Sequence, residues 1–180
     1  FGTKLKIELM NKLKEIDKKI TKIWPDGKDE RKLIETIWKL LLHSKDEEIK
    51  RKIISYVDSD SMTLSKAALN VFTRINCRER ELISEMFFKK WNNNPVVLDN
   101  WFFFKASIEI DDNQKSIEDL FKSEYFDPKS PNTLRSVLNA FVTRNSLFHS
   151  IDGSGYKYVA NKILEFDKSN PIVISRFLKI

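Results

Sequence analysis

Glycine and proline are scarce, with 4 and 5 occurrences in 180 residues, which excludes collagen-like and low-complexity chains and argues against a turn-rich β fold. Cys77 is the only cysteine, so no disulfide can form within the chain, and a reducing, cytoplasmic setting is expected. No stretch of about 18 uncharged apolar residues occurs; the longest candidate, residues 95–106, is interrupted, so no transmembrane helix and no membrane partner are expected. The start, Phe1-Gly2-Thr3-Lys4, lacks an initiator methionine and a signal-peptide pattern. The end, Ser175-Arg176-Phe177-Leu178-Lys179-Ile180, reads as mid-helix with no stop beyond it. Both ends together lead us to expect a piece of a longer polypeptide.

Apolar residues make up 41% of the chain and aromatic ones 12%, enough to offset chain entropy and exclude global disorder. At roughly 150 residues per domain the length fits one unit, able to bury about 70% of its unfolded surface. The net charge is +6. Residues 1–60 hold 15 basic and 12 acidic side chains and residues 61–180 hold 17 and 14, so the excess looks evenly spread. Nucleic-acid binders concentrate Lys and Arg on one face to neutralise phosphates. The charges here are intermixed as on solvated helices, and no nucleic-acid partner is expected.

Apolar periodicity is helical almost throughout. Leu5, Leu9, Leu13, Ile16, Ile20 and Ile23 form one stripe that ends at Trp24-Pro25-Asp26-Gly27. Leu33, Ile34, Ile37, Trp38 and Leu41 are expected inward on a second helix, and Ile49, Ile53, Ile54 and Val57 on a third. Thr63 is a candidate cap for a helix carrying Leu64, Ala67, Ala68, Val71, Phe72 and Ile75. Asn76 and Glu79 stand at capping-box spacing before Leu82, Ile83, Met86, Phe87 and Phe88. Asn94-Pro95 and Asn170-Pro171 share one logic: asparagine accepts the first free amides, and proline at the first helical position gives up a donor that has no intrahelical partner.

Further stripes follow: Val97, Trp101, Phe104 and Ile108; Ile117, Leu120 and Phe121; Leu134, Val137, Leu138, Phe141 and Val142 from near Asn132; Tyr156, Val159, Ile163 and Phe166; and Val173, Ile174, Phe177 and Leu178. The expected fold is all-α, about ten helices in antiparallel hairpins that stack into a right-handed α-α superhelix, because their apolar faces are too wide for a single partner. No residue signature recurs at a fixed period, so tetratricopeptide, ankyrin and similar named repeats are not supported.

Self-contained catalytic chemistry is hard to assemble from these residues. His43 and His149 are far apart, and neither has a second histidine at zinc-site spacing. His43 falls at a helix end, where terminal carbonyls suit an imidazole. Cys77 stands beside Arg78, which favours a thiolate, yet no histidine is near in sequence, so a structural or surface cysteine is expected. Asp152-Gly153-Ser154-Gly155-Tyr156 has two glycines before a helix but no lysine of a phosphate loop and no preceding strand; a tight turn capped by Ser154 or Asp152 is preferred. Trp101-Phe102-Phe103-Phe104 has aromatic side chains on several helix faces, which points to core packing rather than base stacking.

Three blocks carry a family likeness: Ser130-Pro131-Asn132-Thr133-Leu134-Arg135-Ser136-Val137-Leu138-Asn139-Ala140-Phe141, then Phe148-His149-Ser150-Ile151-Asp152-Gly153-Ser154-Gly155-Tyr156, then Asn170-Pro171-Ile172-Val173-Ile174-Ser175-Arg176. In this order and spacing they resemble the C-terminal domain of bacterial-type aminopeptidase N, the alanyl aminopeptidase branch of the M1 zinc metallopeptidases. Met62-Thr63-Leu64-Ser65-Lys66-Ala67-Ala68-Leu69 and Pro95-Val96-Val97-Leu98-Asp99-Asn100-Trp101-Phe102 resemble family segments as well. The likeness spans residues 30–180 of a single domain, 1–180, whose first 28 residues match weakly.

The resemblance implies a helical domain that packs on the catalytic domain of the same parent chain and closes its active site into a chamber for peptide substrates. Zinc would be bound by the parent enzyme outside these residues, and this piece by itself would be inactive. Within the motif Asn-Pro-x-x-x-Ser-Arg the resemblance assigns Arg176 to the substrate's primed side. Ile172, one turn earlier, replaces a family glutamine and makes that wall more apolar. The competing expectation from the residues is a helical-repeat scaffold that binds a peptide or protein without catalysis; an RNA-binding repeat is a third.

Overall fold

The computed structural model describes residues 3–20, 27–75, 77–109 and 113–178. Among them are ten α-helices and no strand: α1 (Thr3–Ile20), α2 (Lys28–Leu42), α3 (Glu47–Ser55), α4 (Met62–Val71), α5 (Arg80–Trp91), α6 (Pro95–Ser107), α7 (Asn113–Phe121), α8 (Pro131–Arg144), α9 (Ser154–Phe166) and α10 (Pro171–Phe177), with short 3₁₀ turns at Tyr56–Asp58 and Ser146–His149. The all-α expectation and the helix number agree with this. Ile23, Trp24 to Asp26 and Asn76, named above as stripe, stop and cap, lie outside the described residues.

The chain divides into two compact units, Phe1–Trp91 and Asn92–Ile180. Division at this boundary changes the view of the charge. Residues 1–91 hold 21 basic and 15 acidic side chains, and residues 92–180 hold 11 of each, so the whole excess belongs to the first unit.

In the first unit α1 packs on α2, and α2 on α4. Leu13, Ile16 and Ile20 of α1 are buried, as are Ile34, Ile37, Trp38 and Leu41 of α2. Leu5 and Leu33, expected inward, are exposed, because each sits at the margin of its stripe. The corner between the two helices depends on Gly27 at φ +70, where a Cβ would lie 2.1 Å from the Lys19 carbonyl oxygen. Buried Arg31 donates from Nη1 to the Ile20 carbonyl at 3.3 Å, satisfying an orphan acceptor at the end of α1. Asp46 caps α3, accepting from the amides of Glu48 at 2.9 Å and Ile49 at 3.2 Å, and pairs with Lys6 of α1 at 2.8 Å.

Two expected caps differ. α4 begins at Met62 after Ser61, so Thr63 lies inside its first turn. Glu79 precedes α5 and engages Lys50 at 2.9 Å.

In the second unit the main packing is α6 on α8, with α10 on both α8 and α9. Asn94 caps α6 by accepting from the Val97 amide at 3.3 Å. Ser130, with Pro131 at the first helical position, caps α8 through the Thr133 amide at 3.3 Å. Phe102 and Phe104 are fully buried and Trp101 and Phe103 partly so, which supports the core reading of that aromatic run. Phe121, Phe126 and Phe166 pack at centroid separations of 5.0 to 6.0 Å.

Buried Asn145 donates from Nδ2 to the carbonyl of Ile108 at 3.2 Å and accepts at Oδ1 from the Leu147 amide at 3.1 Å. One amide thereby joins the end of α6 to the turn that leads into α9.

Candidate functional site

The motif singled out in the sequence forms α10 and its approach. Asn170 is buried but does not cap the helix as expected: its Nδ2 donates to the Pro128 carbonyl at 2.6 Å. The same Nδ2 lies 3.5 Å from the Ser169 hydroxyl, so the short bond to Pro128 is the main one, and it fixes the start of α10 beside the segment entering α8. Val173, Ile174 and Phe177 bury one side of the helix. Ile172, 73% exposed, and exposed Arg176 are four residues apart and share the opposite face. Ser175 donates to the Ile172 carbonyl at 3.0 Å. Among the described residues no carboxylate lies within ion-pair distance of Arg176. An uncommitted guanidinium beside an exposed aliphatic side chain can bind a peptide carbonyl or carboxylate through N–H donors, with apolar contact next to it.

On neighbouring α8, Arg135 is half-buried, and its Nε is fully buried with no hydrogen-bond partner among the described residues. Its side-chain hydrogen bond among the described residues is a long one, 3.4 Å from Nη1 to Asn132 Oδ1. Sequence reading missed this residue as a site, because an arginine one turn into a helix looks like any solvated cation. Asp99 of α6 receives the Thr133 hydroxyl at 2.9 Å, and burial pushes its carboxyl above the usual range although that hydrogen bond pulls it down.

The other candidates are structural. His43 ends α2 as its C-terminal cap residue, where its backbone amide reaches the Leu40 and Leu41 carbonyls. His149 Nδ1 lies 2.5 Å from the Tyr156 hydroxyl, and its ring packs edge-on against Phe148. Tyr156, expected inward, is exposed. Asp152 accepts from the Ser154 amide at 3.0 Å in the turn before α9, in line with the tight turn, but the cap position is Gly153 at φ +73 and no side chain caps the helix, neither Ser154 nor Asp152. Burial and then the Glu79 carboxylate push the Cys77 thiol up, outweighing the opposing charge of Arg80.

A second cluster was also missed: Lys162 of α9, only 5% exposed, reaches Glu118 and Glu165 at 2.8 Å each and lies 4.7 Å over the Phe121 ring. The Tyr158 hydroxyl donates to Glu118 at 3.0 Å. Among the described residues no three His, Cys, Asp or Glu side chains are grouped so as to hold a metal ion, and no helix is long and apolar enough to cross a membrane. The zinc implied by the resemblance therefore has no fitting ligand set in the described part of this chain.

The family described as "Domain of unknown function (DUF3458_C) ARM repeats" matches residues 1–180. The chain belongs to this family. DUF3458_C ARM repeats are helical, in line with the expected stacked hairpins of an α-α superhelix. The repeat name was not legible in the sequence because the recurrence lies in helix pattern and not in residues at a fixed period.

Curated relatives of this DUF3458_C chain are Aminopeptidase N of Haemophilus influenzae, 31% identical over 125 residues, and Aminopeptidase N of Escherichia coli, 28% identical over 123 residues. They are matched over 69% and 68% of this chain and 14% of each relative. Aminopeptidase N of Caulobacter vibrioides is 33% identical over 101 residues, 56% of this chain and 12% of that protein. Among solved structures, the crystal structure of Legionella pneumophila aminopeptidase A in complex with aspartic acid matches with a TM-score of 0.79 and 28% identity, over 96% of this chain and 22% of that one. The chain thus spans about a seventh of the curated relatives it matches. Its likeness to aminopeptidase N, stated above from residue blocks, is borne out, and it corresponds to an aminopeptidase C-terminal domain.

Proposed function

We propose that this domain belongs to a larger zinc aminopeptidase of the M1 type, where it acts as the lid of the catalytic chamber and lines the primed side of the substrate site with Arg176 and Ile172. The observation that carries the reading is the match over nearly the whole chain, at 28% identity, to a part of a much longer aminopeptidase. The exposed, uncommitted face of α10 is what a wall needs: Arg176 offers planar donors to a peptide carbonyl, and Ile172 offers apolar contact in place of a polar side chain. The partners are the catalytic domain of the same polypeptide and peptide substrates released one N-terminal residue at a time. In this reading zinc is held by residues outside this chain, no step of the hydrolysis is performed by these residues, and the protein is cytoplasmic.

The test has two arms. The 180-residue chain, supplied with zinc, is expected to leave alanyl amides intact. Arg176→Ala in the complete enzyme is expected to lower activity on peptides. Hydrolysis by the chain alone, or an Arg176→Ala enzyme with unchanged peptide kinetics, would overturn the lid-and-wall reading and favour the non-catalytic scaffold.

A further inference from the structure

Arg135 is held in a way that the fold does not explain. A guanidinium offers five donors and no acceptor, so each buried N–H needs a partner. Here Nε is buried without one, and the Nη1 contact to Asn132 is at the outer limit of a hydrogen bond. The polar groups near it in sequence are committed elsewhere: Ser130 to the Thr133 amide, the Thr133 hydroxyl to Asp99, and the Ser136 hydroxyl to the Asn132 carbonyl at 2.9 Å. Asp99 is not within ion-pair distance of Arg135, and burial alone pushes its carboxyl up with no cation to oppose it. Folded back with an unsatisfied donor, the side chain has little to lose by swinging outward to an acceptor brought from outside.

α8 and α10 pack on each other, and Asn170 ties the start of α10 to Pro128, three residues before α8 begins. Arg135 is thus carried by a helix that packs against the one carrying Ile172 and Arg176. We propose that Arg135 is a second cationic contact for bound peptide, receiving its free α-carboxylate and so favouring short peptides over substrates with a blocked C-terminus. The proposal rests on the reading of this domain as the lid of a peptide chamber. A carboxylate is the matching acceptor because its two coplanar oxygens take parallel N–H donors from one guanidinium edge. Nη1 already leans toward Asn132, which leaves the Nε edge for that role once the side chain moves out.

The complete enzyme with Arg135→Gln is compared with the unsubstituted enzyme on an alanyl tripeptide and on the same tripeptide as its C-terminal amide. Loss of a charge-assisted contact is expected to raise KM for the free acid about tenfold with little change in kcat, while the amide is unaffected. Arg135→Lys is expected to recover part of the loss, since a lysine keeps the charge without the fork. Equal KM changes for both substrates, accompanied by a lower melting temperature, would make Arg135 a structural contact and overturn the proposal; no change for either would overturn it as well. Arg176→Ala run in parallel separates the two ideas. If it impairs both substrates while Arg135→Gln is silent, the wall reading stands and the carboxylate contact falls. If Arg176→Ala is silent and Arg135→Gln discriminates, the wall reading falls and the carboxylate contact stands.

Discussion

Lys162 of α9 lies 2.8 Å from the Glu118 carboxylate of α7 while keeping only 5% of its surface exposed. The pair joins two helices over a ring cluster, and the Tyr158 hydroxyl fills a further acceptor position on Glu118. Removing one partner of such a pair leaves the other charge partly buried, which costs about 3 kcal/mol. Lys162→Met is expected to destabilise the chain by that order in urea unfolding. Lys162→Met combined with Glu118→Gln, which keeps an acceptor for Tyr158, is expected to recover much of it. A single-substitution cost under about 1 kcal/mol, of the size of an exposed pair, would show that the cluster is not a buried one.

The same pair makes stability depend on pH at both ends. Burial pushes Glu118 up, but the hydrogen bonds from Lys162 and Tyr158 outweigh it and hold the carboxyl below its ordinary value. Burial pushes Lys162 down, and its bonds to Glu118 and Glu165 outweigh that and hold the ammonium above its ordinary value. A depressed carboxyl contributes stability that is complete above the unfolded-state value and lost as pH falls through the folded one. A raised ammonium contributes stability that is complete below the unfolded-state value and lost as pH rises through the folded one. Glu118→Gln is therefore expected to flatten both limbs of the melting-temperature profile, and an unchanged acid limb would contradict it.

Asp99 has the opposite sign. Its carboxyl is raised by burial, so the folded state holds the proton more tightly than the unfolded one, and stability falls as pH rises through the window above the ordinary carboxylate value, with the cost persisting at neutral pH. Asp99→Asn keeps an acceptor for the Thr133 hydroxyl and removes the charge. A melting temperature at pH 7 equal to or above that of the unsubstituted chain is expected; a clear drop would show that the charge has a partner.

Gly155 sits inside α9, where alanine would ordinarily stabilise a helix by about 1 kcal/mol. Here a Cβ would fall 2.3 Å from the Phe148 carbonyl oxygen and 2.6 Å from its Cα, both backbone atoms that cannot move aside cheaply. Gly155→Ala is expected to destabilise by about 2 kcal/mol through overpacking. A neutral result in thermal unfolding would mean that the turn yields.

The Cys77 thiol is raised by burial and by Glu79, and only a thiolate is nucleophilic. Its alkylation at pH 7.5 is expected to be slower in the folded chain than in urea, and Glu79→Gln is expected to speed it. Equal rates in the folded and unfolded states would contradict the shift.

Local periodicity was enough to determine the helices, while only some of the expected caps form. A stripe such as Leu13, Ile16 and Ile20 is buried whichever neighbour covers it, and Asn94-Pro95 starts its helix through an amide only three residues away. Residue blocks likewise sufficed to point to aminopeptidase N, and the motif around Asn170 placed Ile172 and Arg176 together on one helix face. Tertiary structure alone decided how polar groups are used, since their partners come from other helices. Asn170 donates to Pro128 across the fold instead of capping its own helix. Lys162, an ordinary helix-surface residue by its spacing, is buried because Glu118 stands 44 residues away in sequence and within hydrogen-bond reach in space. The even distribution of charge also gave way, because only the boundary between compact units shows that residues 1–91 carry the whole excess. Arg135 differs from any solvated arginine only once the packing around α8 has enclosed its Nε without supplying an acceptor.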